Sequence, residues 1–196
     1  MKHRKQSVLY FIIIAAIFLA TVSCKQKTYT PKPKGYFRLE FPKKSYKPFK
    51  SDCHFSFEIP TYGEIGLVKK SYAEPCWYNI DFKKSNATIY LTYKKLNNDL
   101  DTHIEDVRTI AYKHIVKADD IIESDINIMK HKVYGVLYDI KGNTASSVNF
   151  YVTDSTSNFL SGSLYFNVEP NKDSLAPAID FFRADIIHLI HSLQWE

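Results

Sequence analysis

Residues Val133-Tyr134-Gly135-Val136-Leu137-Tyr138-Asp139-Ile140-Lys141-Gly142-Asn143-Thr144-Ala145-Ser146-Ser147-Val148-Asn149-Phe150-Tyr151-Val152-Thr153 announce the architecture. Both ends, Val133–Ile140 and Val148–Thr153, are rich in β-branched and aromatic residues, which suit a pleated, half-buried surface. Between them Lys141-Gly142-Asn143 is a turn signal, because glycine and asparagine accept the positive φ of a tight reversal. The stretch predicts a β-hairpin. Its polar members Asp139, Lys141, Asn143, Thr144, Ser146 and Ser147 admit two readings. They satisfy backbone groups around a loop, or they form a polar contact surface on a rigid sheet.

On either side of this hairpin the strand pattern continues. Trp77–Phe82 and Thr88–Leu96 precede it, and Phe159–Val168 follows it. Phe37/Leu39/Phe41 and Phe55/Phe57/Ile59 alternate with period two, the second set stopped by Pro60. Two segments carry helical spacing instead. Thr102 with Glu105 reads as a capping box, followed by an apolar face of Ile104, Val107, Ala111 and Ile115. From about Ser174 to Leu193 the stripe is Leu175, Ile179, Phe182, Ile186, Leu189 and Leu193, with Pro177 in the expected first turn. This order predicts an α+β fold: a mainly antiparallel sheet with two helices packed on it. By analogy it resembles the α/β/α sandwich of PsbP-like domains.

The chain has 196 residues, 15% aromatic and 24% charged, which fits one globular domain and excludes a disordered one. With 6 Gly and 8 Pro it is neither collagen-like nor low-complexity. Lys2, Arg4 and Lys5 precede an apolar run, Val8–Val22. That run rises about 22 Å as a helix, short of the roughly 30 Å hydrocarbon core. Residues 1–23 therefore read as a signal peptide. Thr21-Val22-Ser23-Cys24 resembles a bacterial lipobox, with Thr21 where leucine is usual, in which Cys24 is acylated and becomes the mature N-terminus. The alternative is an uncleaved membrane anchor. Residues 24–35, with Pro31 and Pro33, read as a basic tether, and 36–196 as a single globular domain.

The net charge of +5 does not belong to the body. Residues 24–50 hold nine Lys/Arg against Glu40 alone, whereas 51–196 hold 14 basic and 20 acidic residues. An acidic body argues against nucleic acid. Cys53 and Cys76 remain after processing, and an even pair in an exported chain reads as a disulfide, with two buried free thiols as the alternative. No G-x-S-x-G elbow, G-x-G-x-x-G or Walker loop occurs. His188 and His191 lie three apart on the second helix without a third ligand, so neither metal nor cofactor is expected, and no small-molecule substrate suggests itself.

The chain resembles the gliding-motility lipoprotein GldD family of Bacteroidota. The resemblance is carried by Cys24, the run from Tyr29 to Arg38, Phe41-Pro42, Cys53 to Phe57, Pro75-Cys76-Trp77, Ala111 to His114 with Lys117-Ala118-Asp119, and Val133-Tyr134-Gly135. Tyr138 to Ser147, Thr153 to Thr156, Phe159-Leu160, Leu164-Tyr165-Phe166, Pro170-Asn171 and Asp173 to Pro177 complete it. It implies a non-enzymatic cell-envelope lipoprotein, held to a membrane by acyl chains, whose partners are other gliding and type IX secretion proteins. No acidic run follows Cys24, which places the body on the periplasmic side. The lineage also implies O-glycosylation at Asp-Ser/Thr followed by an apolar residue or Thr. Ser155 in Asp154-Ser155-Thr156 and Ser174 in Asp173-Ser174-Leu175 fit that pattern, and turn or cap use explains both equally well. Metabolic labelling with an alkyne fatty acid is expected to mark the wild-type protein and not Cys24→Ser; an unlabelled wild type would remove the anchor.

Overall fold

The structure, a computed structural model, describes residues 40–71 and 73–196. Cys24, the tether, Phe37 and Leu39 lie outside the described residues. The strands and helices in chain order are β1 (Tyr46–Lys50), β2 (Phe55–Pro60), β3 (Glu64–Leu67), β4 (Trp77–Phe82), β5 (Ala87–Lys95), α1 (Leu100–Tyr112), β6 (Ala118–Ile128), β7 (Val133–Gly142), β8 (Ser146–Thr153), β9 (Asn158–Phe166), α2 (Lys172–Ser192) and β10 (Gln194–Trp195). Among the described residues they build a seven-stranded sheet, β3-β4-β5-β9-β8-β7-β6, and a three-stranded one, β1-β2-β10. Every pairing is antiparallel. The fold is α+β.

The expected hairpin is β7–β8, with Val136 opposite Tyr151 and Asp139 opposite Val148. Gly142 has φ +114°, and its Cα faces the backbone of Lys117 and Asp119 on β6's approach. Only glycine suits both the conformation and that close approach. Strand alternation then sorts the sheet's two faces. Leu137, Val148, Phe150, Val152, Leu160 and Leu164 face α2 and the small sheet, and join Phe182 and Ile186 in the main core. Tyr138, Ile140, Tyr151 and Phe159 face the other way, against Val107 and Ala111 of α1. The helices thus cover opposite faces. Each fully buried Phe, Ile or Leu contributes about 1.5–3 kcal/mol, and Phe55, Phe150, Phe159 and Phe182 are among the largest.

Cys53 and Cys76 are disulfide-bonded, Cα atoms 6.0 Å apart, just before β2 and β4. The bridge ties the small sheet to the large one. A crosslink closing a loop of this size stabilises by about 3 kcal/mol in the chain-entropy model.

Several expectations are corrected. Helix α1 begins at Leu100, with Asp99 rather than Thr102 at the cap position and no side-chain cap bond. Leu100 and Ile104 pack against the α1 cluster, which draws the helix back past Thr102. It ends at Tyr112, so Ile115 leaves the apolar face and is 59% exposed. Helix α2 starts at Lys172, capped by Asn171, whose side chain accepts from Ser174 N, and Pro177 therefore sits in the second turn. Phe41 is not in a strand; its ring stacks on Phe181 at 4.4 Å. Strands β1, β3, β6 and β10 carry no strand pattern that the sequence reading recognises. In β6 four acids and a register shift between Ala118 and Asp120 hide the alternation, which is regular only from Ser124 onward.

Gly162 lies between Leu91 of β5 and Phe150 of β8, and the Phe150 ring occupies the space its missing side chain leaves. An added Cβ would overlap that ring and come within 2.9 Å of Leu91 Cδ2. Gly162→Ala is expected to lower stability by about 1–3 kcal/mol in urea denaturation. Unchanged stability would show that Phe150 is free to move.

Candidate functional site

The loop singled out from sequence is built into the fold. Asp139 is 5% exposed and held by Arg183 of α2, Nε donating to Oδ1 at 2.6 Å and Nη2 to Oδ2 at 2.8 Å. Such a bidentate fork is among the stronger polar contacts a protein makes. Thr144, Ser146 and Ser147 are also buried. Thr144 Oγ1 donates to the Ser146 carbonyl at 3.0 Å, and Ser146 Oγ donates to Asn149 Oδ1 at 2.7 Å. Only Lys141 and Asn143 of the six named residues are exposed, and the Asn143 side chain accepts from Lys172 N at 2.8 Å. Asp139, Asn143, Thr144 and Ser146 thus hydrogen-bond within the domain, and Lys141 and Asn143 are the loop's exposed polar members.

The two Ser positions differ. Ser155 is exposed, with φ 69°, in the β8–β9 turn. There burial would raise the Asp154 carboxyl, but N–H donors of Ser157, Asn158 and Thr156 outweigh it and hold it below the usual range. Ser174 is used by the α2 cap, its Oγ donating to the Asn171 carbonyl at 3.2 Å.

A titratable cluster that the sequence reading missed sits between α2 and the segment around β1. Asp185, 1% exposed, accepts from Lys44 Nζ at 2.6 Å, Tyr46 OH at 2.9 Å and Tyr62 OH at 2.9 and 2.8 Å. Lys44 also donates to the Phe181 carbonyl and lies 3.4 Å from the Phe181 ring centroid. Burial, helped by Asp185, pushes the Tyr46 phenol up to about 12, and the same causes raise Tyr62. Burial lowers Lys44, against the pull of Asp185. Both phenols stay protonated at neutral pH, as donors to one carboxylate. Beside them His188 stacks on Tyr46, centroids 3.5 Å apart, and its Nε2 lies 2.6 Å from Glu58 Oε2. The signal was available: Asp185 is an acid next to Ile186 within the apolar stripe. Among the described residues no group of three His, Cys, Asp or Glu side chains converges as metal ligands.

What remains open is the outer sheet face beyond α1. Rows across β4, β5, β9 and β8 present Asn79, Tyr90, Ser163 and Asn149, flanked by Trp77, Thr92 and Ser161 on one side and Asp81, Thr88 and Tyr165 on the other. Tyr90 is 45% exposed and meets Tyr165 edge-on at 5.5 Å. Trp77 Nε1, Asn79 Oδ1 and Asn149 Nδ2 are buried without a hydrogen-bond partner, and all three belong to this face. Native folds leave few such groups.

A family model described as gliding motility lipoprotein GldD matches residues 26–195. The chain belongs to the GldD family. As a member of a lipoprotein family it is a membrane-anchored envelope protein of gliding motility, and no described helix is long and apolar enough to cross a membrane. No curated protein matches it. Among solved structures it is similar to cyanobacterial PsbP (CyanoP) from Synechocystis sp. PCC 6803, at 10% identity and TM-score 0.49, covering 84% of this chain and 100% of that one.

Asp185→Asn keeps the shape but removes the charge that offsets Lys44. It is expected to cost about 3 kcal/mol, the low end for breaking a buried pair, since the Lys44 side chain is 31% exposed and can turn to solvent. Thermal denaturation of Asp185→Asn against the exposed control Asp180→Asn checks this; equal melting points would refute it.

Proposed function

We propose that this lipoprotein acts without catalysis, through protein contacts, as a component of the gliding and type IX secretion machinery with its body in the periplasm. The observation that carries the reading is the open sheet face, where Trp77, Tyr90 and Tyr165 lie among hydroxyl side chains and above unmet polar atoms. Tyrosine and tryptophan are the residues that protein interfaces favour, because they supply large amphipathic area with few rotatable bonds. The polar groups of the 139–147 loop and the Asp185 cluster support the same reading, since their hydrogen bonds are spent on each other.

A second reading, a periplasmic binding module for a small envelope ligand, glycan or lipid, draws on the same face. Aromatic rings beside amide and hydroxyl groups also suit a sugar. The cavity at the start of α2, about 250 Å³, speaks against an apolar ligand site, because Asp119, Lys141, Lys172, Asp173 and Asp180 line it beside Ile140 and Ile179.

Deleting the gene is expected to abolish colony spreading and to alter the secreted-protein profile. Complementation with Tyr90→Ala/Tyr165→Ala is expected to leave the protein at normal abundance in membranes and spreading impaired. Normal spreading and secretion in the deletion strain would sink the proposal.

A further inference from the structure

The long edge of the seven-stranded sheet is the feature the preceding reading leaves unused. Strand β6 spans 11 residues and, among the described residues, pairs only with β7. Its outer side presents backbone N–H and C=O groups with no strand to meet them. Proteins usually blunt such an edge with proline, shortness, a bulge or charged side chains, and of these β6 relies on its acids. The other described edges follow that rule: β3 has four residues including Gly66, β10 has two, and β1 carries Pro48. Strand β6 contains neither proline nor glycine, and its one register shift lies at the start, between Ala118 and Asp120.

The two sides of this edge differ chemically. Toward α2, Ile122 is 44% exposed, and Ser124, Ile126 and Ile128 continue its row into a groove against Ile187 and Ile190, about 320 Å³ in volume. On the opposite side stand Glu123 and Asp125, both exposed. Residues 118–128 include Asp119, Asp120, Glu123 and Asp125 and no Lys or Arg. Lys172 meets Asp119 at 2.6 Å, whereas Asp120, Glu123 and Asp125 have no basic partner among the described residues. Tyr112 donates a hydrogen bond to Glu123, which leaves its charge uncompensated.

We propose that β6 is a docking edge for an extended, basic segment of a partner protein, which adds an eighth strand to the sheet. Side chains alternate along a strand, so the segment must carry apolar residues at every second position, over the Ile122–Ile128 row, and Lys or Arg between them, beside Glu123 and Asp125. A second copy of this chain is disfavoured at the edge, because antiparallel β6–β6 pairing sets acid against acid. The inference rests on the protein-contact reading and narrows it. Its test reads binding in solution, so its failure leaves the motility experiment standing.

The probe is a fluorescent eight-residue peptide of alternating lysine and valine, added to the full mature lipoprotein in detergent. Three peptides serve as controls: a block peptide of the same composition, a glutamate–valine peptide, and a lysine–valine peptide N-methylated at alternate positions. The lysine–valine peptide is expected to slow hydrogen exchange at backbone amides of 118–128, and each control to bind at least about tenfold more weakly. Glu123→Lys/Asp125→Lys should weaken the lysine–valine peptide and gain the glutamate–valine one. Equal binding by the block or N-methylated peptide would overturn the proposal, as would exchange slowed elsewhere in the protein. Two further outcomes overturn it: protection of 118–128 that rises with protein concentration without peptide, which means a second copy, and peptide binding that appears only after deletion of residues 25–35, which means the chain's own tether.

Discussion

Strand β8 is buried along its entire length, Ser146 through Thr153, and the rest of the domain answers to that constraint. A strand with water on neither face needs cover on both. Helix α2 and the small sheet supply it on one side, α1 on the other. Alternation along β8 assigns Val148, Phe150 and Val152 to the first core and Tyr151 to the second. An unpaired buried hydroxyl or amide costs about 1–3 kcal/mol, a cost that β8 bears at Asn149 Nδ2. Ser146 and Thr153 avoid that cost, donating to Asn149 Oδ1 and the Asn158 carbonyl.

The same constraint redistributes the chemistry that looked functional in one dimension. Asp139 stands on the face of β7 that α2 covers, and Arg183 reaches it there. Two residues further along α2, on another side of the helix, Asp185 collects Lys44, Tyr46 and Tyr62, which fastens the chain around β1 to the helix. The polar groups richest in hydrogen bonds thus join elements to each other. Free chemistry lies on the aromatic half of the outer face, which neither helix covers, and along the unpaired backbone edge of β6. One is flat and one linear, and both are the surfaces we propose for protein contacts.

How far the candidate site could be read from sequence follows from this division. Trp77, Tyr90 and Tyr165 were visible as strand residues, but their common face depends on the register that sets the neighbouring strands β4 and β5 against β9, far along the chain. The 139–147 stretch is visibly polar, which fits a loop satisfying its own backbone as well as one facing solvent. Its burial is a property of α1 and α2 packing around it, which no local pattern reports. Strand β6 was hidden, because an acidic edge strand lacks the apolar alternation by which strands are recognised.

Local physics determined the rest. Period-two alternation, a Gly-Asn turn and two apolar helical stripes were enough for an antiparallel α+β fold, since side-chain spacing dictates which face each element must bury. Runs matching a known lipoprotein family were enough for membership. Only the tertiary structure decided which helix covers which face, which acids are buried, and which edge stays unpaired. Those outcomes depend on contacts between residues such as Lys44 and Asp185, 141 positions apart, and solvent exposure exists only once the layers have closed.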